Sequence, residues 1–215
     1  MRSFSSIAPI ILAAGDSKRM GFPKALLPFG PDTFLTRILS IVRKVGLMEP
    51  TVVLGKAASI IEKHIHNEPV HIWINPNPEK GQLSSLQLAL SLLPMQAEAC
   101  LIWPVDHPAV SENLVRALVE LYVASDSLIA CPVYEGKRGH PAIFHRTIFC
   151  EFMEAPLEEG PKTILSRYLD YTIVLHTAES GVVLDIDTPA DYLALTGRSL
   201  KEALAGSNIS DPLQS

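Results

Sequence analysis

The chain of 215 residues is long enough for one large domain, and 47% of its residues are hydrophobic while only 19% are charged. This balance supports a sizeable core and excludes a chain that is disordered throughout. The formal net charge of −5 argues against a general nucleic-acid binder, because such proteins usually present a basic surface.

Cysteine usage and hydropathy predict the compartment. The cysteines, Cys100, Cys131 and Cys150, form an odd set without a C-x-x-C pair, which is typical of a protein with reduced thiols. No apolar stretch reaches the roughly 18 residues that a membrane span needs. The apolar run over 7–14 passes directly into a polar loop without a cleavage site. We therefore predict a cytoplasmic protein that binds neither membranes nor nucleic acid.

Hydrophobic periodicity predicts alternating strands and helices in the first half of the chain. Short apolar runs bounded by turn residues predict buried strands, and apolar residues three and four apart predict amphipathic helices. Strands are predicted over 7–14, 51–54, 70–74 and 99–103, and helices over 33–45, 57–66 and 82–93. Such alternation is typical of parallel β-α-β units. We predict an α/β fold, a three-layer α/β/α Rossmann-like domain with a mostly parallel central sheet.

The pattern changes in the second half. A helix capped by Ser111 ends near residue 122, and strands are predicted over 128–131 and 142–144, on either side of a hairpin or loop. The remaining elements are short helices over 147–153 and 162–169, strands over 171–175 and 181–186, and a helix over 189–195 that starts with a proline. Because no clear linker or repeat interrupts the chain, we predict a single domain over 1–215, with a flexible tail at 206–215.

The loop after the first strand has the composition of an anion-binding loop. It holds two glycines and the cations Lys18, Arg19 and Lys24. Glycine lets a backbone approach a ligand closely, and open α/β sheets bind ligands at the carboxyl ends of their strands. The spacing matches neither the Walker A motif nor the dinucleotide fingerprint. From these residues alone, both a polyanion-binding loop and a solvated basic loop stay open.

The string L-A-A-G-x-S-x-R-M-G-x-P-K over residues 12–24 closely resembles the signature of nucleotidyltransferases with the GT-A-like fold. The similarity is strongest to the MobA-like and molybdenum cofactor cytidylyltransferase branch. It implies that the loop wraps a nucleoside triphosphate, with Arg19 and Lys24 on its phosphates as catalytic cations. The L-A-A-G form resembles the cytidylyl branch, whereas guanylyl relatives tend towards L-A-G-G, so CTP is favoured over GTP. The implied nucleotide contacts in this loop are Leu12, Ala13, Ala14, Gly15, Ser17, Arg19 and Lys24.

Two aspartates that follow predicted strands are candidates for metal binding. Mg²⁺ usually takes one or two protein carboxylates together with phosphate oxygens. A turn aspartate and a helix cap explain the same residues without a ligand. The segments P-V-D-H-P and D-I-D-T-P-A-D-Y, however, resemble the metal-binding segments of the family. The resemblance implies that Asp106, also a catalytic residue, and Asp187 share Mg²⁺, with Mn²⁺ as a substitute, while Asp185 and Asp191 are structural.

A glycine- and serine-containing segment before the third helix also resembles a family motif. Residues 81–86 match G-x-x-S-S-L, which in the family lies near the base and ribose and is accompanied by an asparagine. Hydroxyl and backbone N–H groups at the start of a helix can bind a base edge or a phosphate, but capping by the serines is an equally good explanation. The resemblance implies further nucleotide contacts by Asn75, Gly81, Ser84 and Ser85.

Residues 136–144 resemble the acceptor-side G-x-x-G-x-P motif. A plain β-turn with exposed cations is the alternative. The resemblance implies that an acceptor-binding half, 111–200, follows a nucleotide-binding half, 1–110. The implied acceptor contacts are Arg138, Gly139, His140 and Pro141.

Together these features predict a Mg²⁺-dependent nucleotidyltransferase. An acceptor phosphate attacks the α-phosphate of a nucleoside triphosphate, and pyrophosphate leaves. The resemblance implies molybdopterin as the acceptor, and a molybdoenzyme or a cofactor-insertion chaperone as a protein partner.

The acceptor stays open on the sequence. Relatives that modify molybdopterin usually carry a G-D-x-G-A-R-like segment, whereas the corresponding stretch here, 158–163, lacks the acid and the second glycine. In addition, Pro161 removes one backbone donor. A sugar phosphate, a phospho-alcohol or phospholactate is an alternative acceptor. A nucleotide- or molybdenum-cofactor-binding protein without transfer activity is an alternative of another class.

Overall fold

The computed structural model describes residues 2–157 and 160–206 and is built around a central β-sheet. The strands of the described residues are β1 (Ile7–Ala13), β2 (Pro28–Phe29), β3 (Asp32–Thr33), β4 (Thr51–Leu54), β5 (His71–Ile74), β6 (Ala99–Pro104), β7 (Ile129–Tyr134), β8 (Lys137–Arg138), β9 (Ala142–His145) and β10 (Thr172–His176). The described helices are α1 (Phe34–Val45), α2 (Ala58–Ile65), α3 (Gln82–Ser91), α4 (Glu112–Val123), α5 (Phe149–Glu154), α6 (Gly160–Arg167), α7 (Pro189–Thr196) and α8 (Leu200–Ala205).

The strand order positions the candidate site. The sheet runs β10-β7-β9-β6-β1-β4-β5, β8 pairs with β7, and β2 and β3 form a separate hairpin. β6, β1, β4 and β5 are parallel to one another, whereas β9 is antiparallel to both β6 and β7. The register places Leu12 of β1 beside Val53 of β4 and Pro104 of β6. The carboxyl ends of β1, β4 and β6 therefore meet at one edge, and the predicted mostly parallel sheet is confirmed.

β1 shows why the sheet carries helices on both faces. Ile7 and Ile11 belong to a core cluster with residues of α1, α2 and α4, whereas Ile10 and Leu12 pack in a second cluster with α3, α5 and α6. A parallel strand buried on both faces reads as a continuous apolar run, and each fully buried large apolar side chain contributes about 1.5–3 kcal/mol. The predicted three-layer α/β/α arrangement is confirmed.

The first helix illustrates how local sequence sets an element. The Thr33 hydroxyl accepts a hydrogen bond from the backbone N–H of Thr36, and the Thr36 side chain reciprocates at the backbone of Thr33. Gly46 ends the helix in the left-handed conformation with φ 87°. A cap, an apolar stripe and a terminal glycine are local signals, so the predicted helix over 33–45 is confirmed within one residue.

The strand predicted over 181–186 is wrong. The chain forms a short 3₁₀ helix, Ser180–Val182, and then continues irregularly. Its backbone groups bond to loops: the Val182 carbonyl accepts from the N–H of His140 at 2.7 Å, and the N–H of Ile186 donates to the Asp106 carbonyl at 2.9 Å. Because these partners are loops, the segment joins no sheet although its composition suits a strand.

The end of the chain differs from the prediction as well. α8 follows α7 and was not predicted, although Ser199 and Glu202 form the capping box that marks its start. Gly206 is the C-terminal cap of α8. The rest of the predicted tail, 207–215, lies outside the described residues. None of the described helices is long and apolar enough to cross a membrane.

Candidate active site

A cleft of about 420 Å³ opens at the carboxyl ends of β1 and β6. Its walls come from the loop after β1, the starts of α2 and α3, and the segments that hold Asp106 and Asp187. The fold thus brings together residues that lie far apart in the chain. Most of the predicted nucleotide-binding residues line the cleft: Leu12, Ala13, Ala14, Gly15, Ser17, Arg19, Lys24, Gly81 and Ser85.

The loop after β1 is anchored in the core. The side chains of Met20 and Phe22 are only 2% and 4% exposed. The Ser17 carbonyl accepts hydrogen bonds from the N–H groups of Met20 and Gly21 at 3.0 and 2.9 Å, and the Ser17 hydroxyl accepts one from the N–H of Lys24 at 3.2 Å. These contacts fix the path of the loop between β1 and Lys24.

Lys24, Asp106 and Asp187 form an ion cluster at the floor of the cleft. Lys24 Nζ lies 2.9 Å from Asp106 Oδ2 and 2.5 Å from Asp187 Oδ1. Arg19 Nη2 lies 2.6 Å from the other Asp187 oxygen, Oδ2. The Lys24 side chain is 11% exposed, whereas that of Arg19 is 70% exposed. The loop after β1 therefore reaches both predicted metal carboxylates.

Lys24 and Asp187 hold each other in the ionised state. Burial acts to lower the pKa of Lys24, but the charges and hydrogen bonds of Asp106 and Asp187 outweigh it and raise that pKa above its usual value. In return, the hydrogen bond from Lys24 lowers the pKa of Asp187, with a smaller contribution from the charge of Arg19. Near neutral pH, Lys24 is thus an ammonium and Asp187 a carboxylate.

Backbone contacts place the two aspartates side by side. The Ile186 N–H bond to the Asp106 carbonyl joins their segments. A capping box at the start of α7 then orients Asp187: the Asp191 carboxylate accepts from the N–H groups of Asp187 and Thr188 at 3.1 and 2.8 Å. These bonds lower the pKa of Asp191, chiefly through the Thr188 hydroxyl and N–H. Asp185 is exposed and does not line the cleft.

The aspartate pair fits a divalent cation as a partial ligand set. One oxygen from each carboxylate points to the position that Lys24 Nζ takes. Among the described residues there is no group of three or more histidine, cysteine, aspartate or glutamate side chains that could hold a metal on its own. Mg²⁺ and similar ions complete such a pair with phosphate oxygens and water.

Asn75 and Ser84 support the cleft wall without lining it. The buried Asn75 side chain donates to the hydroxyls of Ser84 and Ser85, each at 2.9 Å, and accepts from the N–H of Asn77 at 2.9 Å. The Ser84 hydroxyl in turn bonds the Gly81 carbonyl at 2.8 Å. Neither serine caps α3, whose N-terminal cap is Gly81, so the capping explanation of this motif is wrong.

The predicted acceptor residues Arg138, Gly139, His140 and Pro141 lie beside the cleft and do not line it. Arg138 is exposed on β8. Gly139 packs so tightly that a Cβ there would lie 2.3 Å from the Val182 carbonyl oxygen. The His140 ring packs at 4.8 Å, centroid to centroid, against the ring of His107, the neighbour of Asp106, with the ring planes tilted by 52°. The motif therefore packs behind the aspartate pair.

Most of the chain matches a known protein family. The family model described as the MobA-like NTP transferase domain matches residues 9–172. The chain belongs to this family. It is therefore a nucleotidyltransferase, and the predicted enzyme class is confirmed.

Relatives of this MobA-like chain cover nearly all of it. The molybdenum cofactor cytidylyltransferase of Escherichia coli is 27% identical over 194 residues, which are 90% of this chain and 97% of that protein. A protein of Rhodopirellula baltica named "probable molybdenum cofactor guanylyltransferase" is 33% identical over 189 residues, 85% of this chain and 88% of its own. The crystal structure of the Mycobacterium tuberculosis protein Rv0371c in complex with manganese has a TM-score of 0.74 at 26% identity, covering 89% of this chain and 98% of that one.

His107 is a buried residue next to Asp106 that the sequence did not single out. It is 8% exposed, and its Nε2 lies 3.9 Å from Asp106 Oδ1. Burial lowers the pKa of His107 below its usual value, and the charge of Asp106 opposes that shift. Its position directly after Asp106 is the signal that could have found it.

The ion pair between Lys56 and Asp16, at 3.1 Å, was also not predicted, because Lys56 comes from the separate loop after β4.

The buried His107 is expected to make the fold sensitive to acid. Because its folded pKa lies below the unfolded value of about 6.5, the unfolded state binds more protons in that window, so stability falls as the pH drops below about 6.5. His107→Gln should flatten the dependence of the free energy of unfolding on pH between about pH 5 and 7. Urea unfolding at about pH 5 and about pH 7 measures the free energy of unfolding at the two ends of this range. His64→Gln, at an exposed histidine of α2, should keep the wild-type slope; an unchanged slope in His107→Gln would contradict the prediction.

Proposed function

We propose that this protein transfers CMP from CTP to the phosphate of a small acceptor, molybdopterin or a close analogue, with Mg²⁺ as the metal and Mn²⁺ as a substitute. The observation that carries the proposal is the convergence of Lys24, Asp106 and Asp187 on one point in a cleft lined by the nucleotide motif. The manganese complex of the relative Rv0371c supports the use of a divalent metal.

The chain's own residues supply positioning and charge. An oxygen of the acceptor phosphate forms a bond to the α-phosphorus of CTP, the bond from that phosphorus to the bridging oxygen breaks, and pyrophosphate leaves. Arg19 and Lys24 bind the triphosphate and offset its charge, while Asp106 and Asp187 hold the metal. When bound, the divalent ion stabilises the negative charge on the transferring group. A phosphate oxygen is already a nucleophile, so no dedicated base is required.

The preference for CTP is carried by the L-A-A-G form of the loop and by the cytidylyltransferase among the relatives. The guanylyltransferase among the relatives makes GTP the competing base. The base pocket is pre-organised, because Asn75 locks the hydroxyls of Ser84 and Ser85 before any ligand arrives.

The proposed acceptor is a small molecule that carries a phosphate. The acceptor contacts proposed at Arg138, Gly139, His140 and Pro141 rest on the G-x-x-G-x-P motif, and Arg138 is the exposed cation of that motif. Of the unusual segment 158–163, residues 158 and 159 lie outside the described residues, and α6 begins at Gly160. A sugar phosphate, a phospho-alcohol or phospholactate is the alternative acceptor. The two functional halves, a cytoplasmic location and a molybdoenzyme or chaperone partner remain predictions.

A thermal-shift panel tests the nucleotide assignment. With Mg²⁺, CTP should raise the melting temperature more than GTP, ATP or UTP at equal concentration, because stabilisation grows with ligand concentration over Kd. Ser85→Ala should reduce the CTP shift. Ser91→Ala, at an exposed serine of the same helix, serves as the control. A larger rise in melting temperature with GTP than with CTP would make GTP the proposed substrate.

Pyrophosphate release tests the transfer itself. With CTP and Mg²⁺, release should depend on added molybdopterin. Release with a sugar phosphate instead would reassign the acceptor. If CTP binds but no pyrophosphate is released with molybdopterin, a sugar phosphate, a phospho-alcohol or phospholactate, a binding protein without transfer activity is favoured.

A further inference from the structure

The carboxylates proposed to bind metal are already occupied by cations of the chain itself. Lys24 takes Oδ2 of Asp106 and Oδ1 of Asp187, and Arg19 takes Oδ2 of Asp187. Both oxygens of Asp187 are therefore engaged. A divalent ion can use this pair only if at least Lys24 moves away.

Lys24 is built to move at its tip while its base stays in place. Its backbone N–H is held by the Ser17 hydroxyl at 3.2 Å, and it starts a 3₁₀ helix, Lys24–Leu26, whose Ala25 and Leu26 are 2% and 0% exposed. The flexible four-carbon stem of lysine lets the ammonium change partners without a backbone shift.

We propose that Lys24 takes the place of the divalent cation in the nucleotide-free protein, so that the metal enters productively only together with the triphosphate. The inference rests on the proposed function and adds an order of binding to it. The phosphates supply new partners for the ammonium, which then leaves the aspartate pair to the metal.

Charge and desolvation explain why the exchange needs the nucleotide. Without a triphosphate, an arriving metal would leave the largely buried Lys24 ammonium without an anionic partner, and an uncompensated buried charge is strongly unfavourable. A triphosphate brings negative charge for both cations. Metal and nucleotide should therefore strengthen each other's binding reciprocally, and such coupling is typically about 5- to 150-fold.

Mn²⁺ binding, followed by the loss of the electron paramagnetic resonance signal of the free ion, tests the proposal without turnover. After subtraction of the Mn²⁺ that the unreactive analogue α,β-methylene-CTP binds without protein, the wild type should bind Mn²⁺ weakly alone and at least about fivefold more tightly with the analogue. Lys24→Met should bind Mn²⁺ tightly without the analogue. Adding Asp187→Asn to Lys24→Met should remove that gain, which locates the ion at the pair.

Lys56→Met is the matched control. Lys56 also stands beside the cleft loop, but it pairs with Asp16 at 3.1 Å and not with Asp106 or Asp187. Its removal should leave the Mn²⁺ affinity of the nucleotide-free protein unchanged. Arg19→Met releases only one Asp187 oxygen and should give a smaller gain than Lys24→Met.

The outcomes separate this inference from the proposed function. If the nucleotide-free wild type binds Mn²⁺ as tightly as Lys24→Met, the placeholder role is overturned while the metal-dependent transferase stands. If no form binds Mn²⁺ even with the analogue, the metal assignment in the proposed function falls as well. If circular dichroism shows that Lys24→Met does not fold, the Mn²⁺ affinity of the wild type with and without the analogue is the test. An affinity that does not depend on the analogue overturns the inference.

Discussion

Asp106→Asn is expected to lower kcat for pyrophosphate release by about 10²- to 10³-fold or more, because it removes one of two carboxylates that position charge stabilisation at the transferring phosphate. The amide is isosteric with the carboxylate and leaves Lys24 its second partner, Asp187. The free energy of unfolding should therefore change little, and urea unfolding should show a native transition. Asp187→Asn should give a loss of the same order.

Asp185→Asn is the control for this prediction. Asp185 belongs to the same D-I-D-T-P segment, but it is exposed and does not line the cleft. Its replacement should leave kcat near the wild-type value. Full activity of Asp106→Asn with the correct acceptor would contradict the assignment of the metal pair.

Gly55→Ala is expected to destabilise the protein by about 1–3 kcal/mol or more, the range typical of overpacking in a close-packed region. A Cβ at Gly55 would lie 2.3 Å from the carbonyl oxygen of Ala14. That oxygen belongs to the residue directly after β1, a strand that pairs with β4 on one side and β6 on the other, so it cannot move aside cheaply. A forced shift would also displace the nucleotide loop, so the CTP-induced rise in Tm should shrink.

Gly15→Ala tests whether this cost comes from the contact or from losing a glycine. A Cβ at Gly15 has no atom within 4 Å, so the variant should unfold within about 0.5 kcal/mol of the wild type. Its effect should appear instead in CTP binding, because the Cβ would project at the cleft that Gly15 lines. Equal stability of Gly55→Ala and Gly15→Ala would show that β1 yields more easily than the packing indicates.

Local signals explain which elements could be predicted. The helix over 33–45 carries a capping threonine, an apolar stripe and a terminal glycine, and it forms as predicted. α8 was missed although Ser199 and Glu202 carry a capping box, because the helix is only six residues long and shows less than two turns of apolar periodicity. The strand predicted over 181–186 failed for a different reason. Its apolar residues suit a strand, but its backbone partners are loops at His140 and Asp106.

The site, too, contains residues that local sequence predicts and residues whose surroundings it does not predict. The loop motif over 12–24 marked the residues that line the cleft, because close backbone approach and clustered cations are properties of a contiguous segment. Asn75 and Ser84 were predicted as ligand contacts, but they hydrogen-bond within the wall behind Ser85. Whether a polar side chain faces a ligand or a neighbour depends on burial, which a motif does not encode.

The alternation of strands and helices and the chemistry of the loop after β1 can be predicted from the amino-acid sequence, since both depend on residues close together in the chain. The contacts of Lys24 with Asp106, 82 residues away, and with Asp187, 163 residues away, appear only in the folded chain. The burial of His107 is likewise a property of the folded chain. Such contacts follow from strand order and from backbone bonds between distant loops, and hydrophobic periodicity carries no information about either.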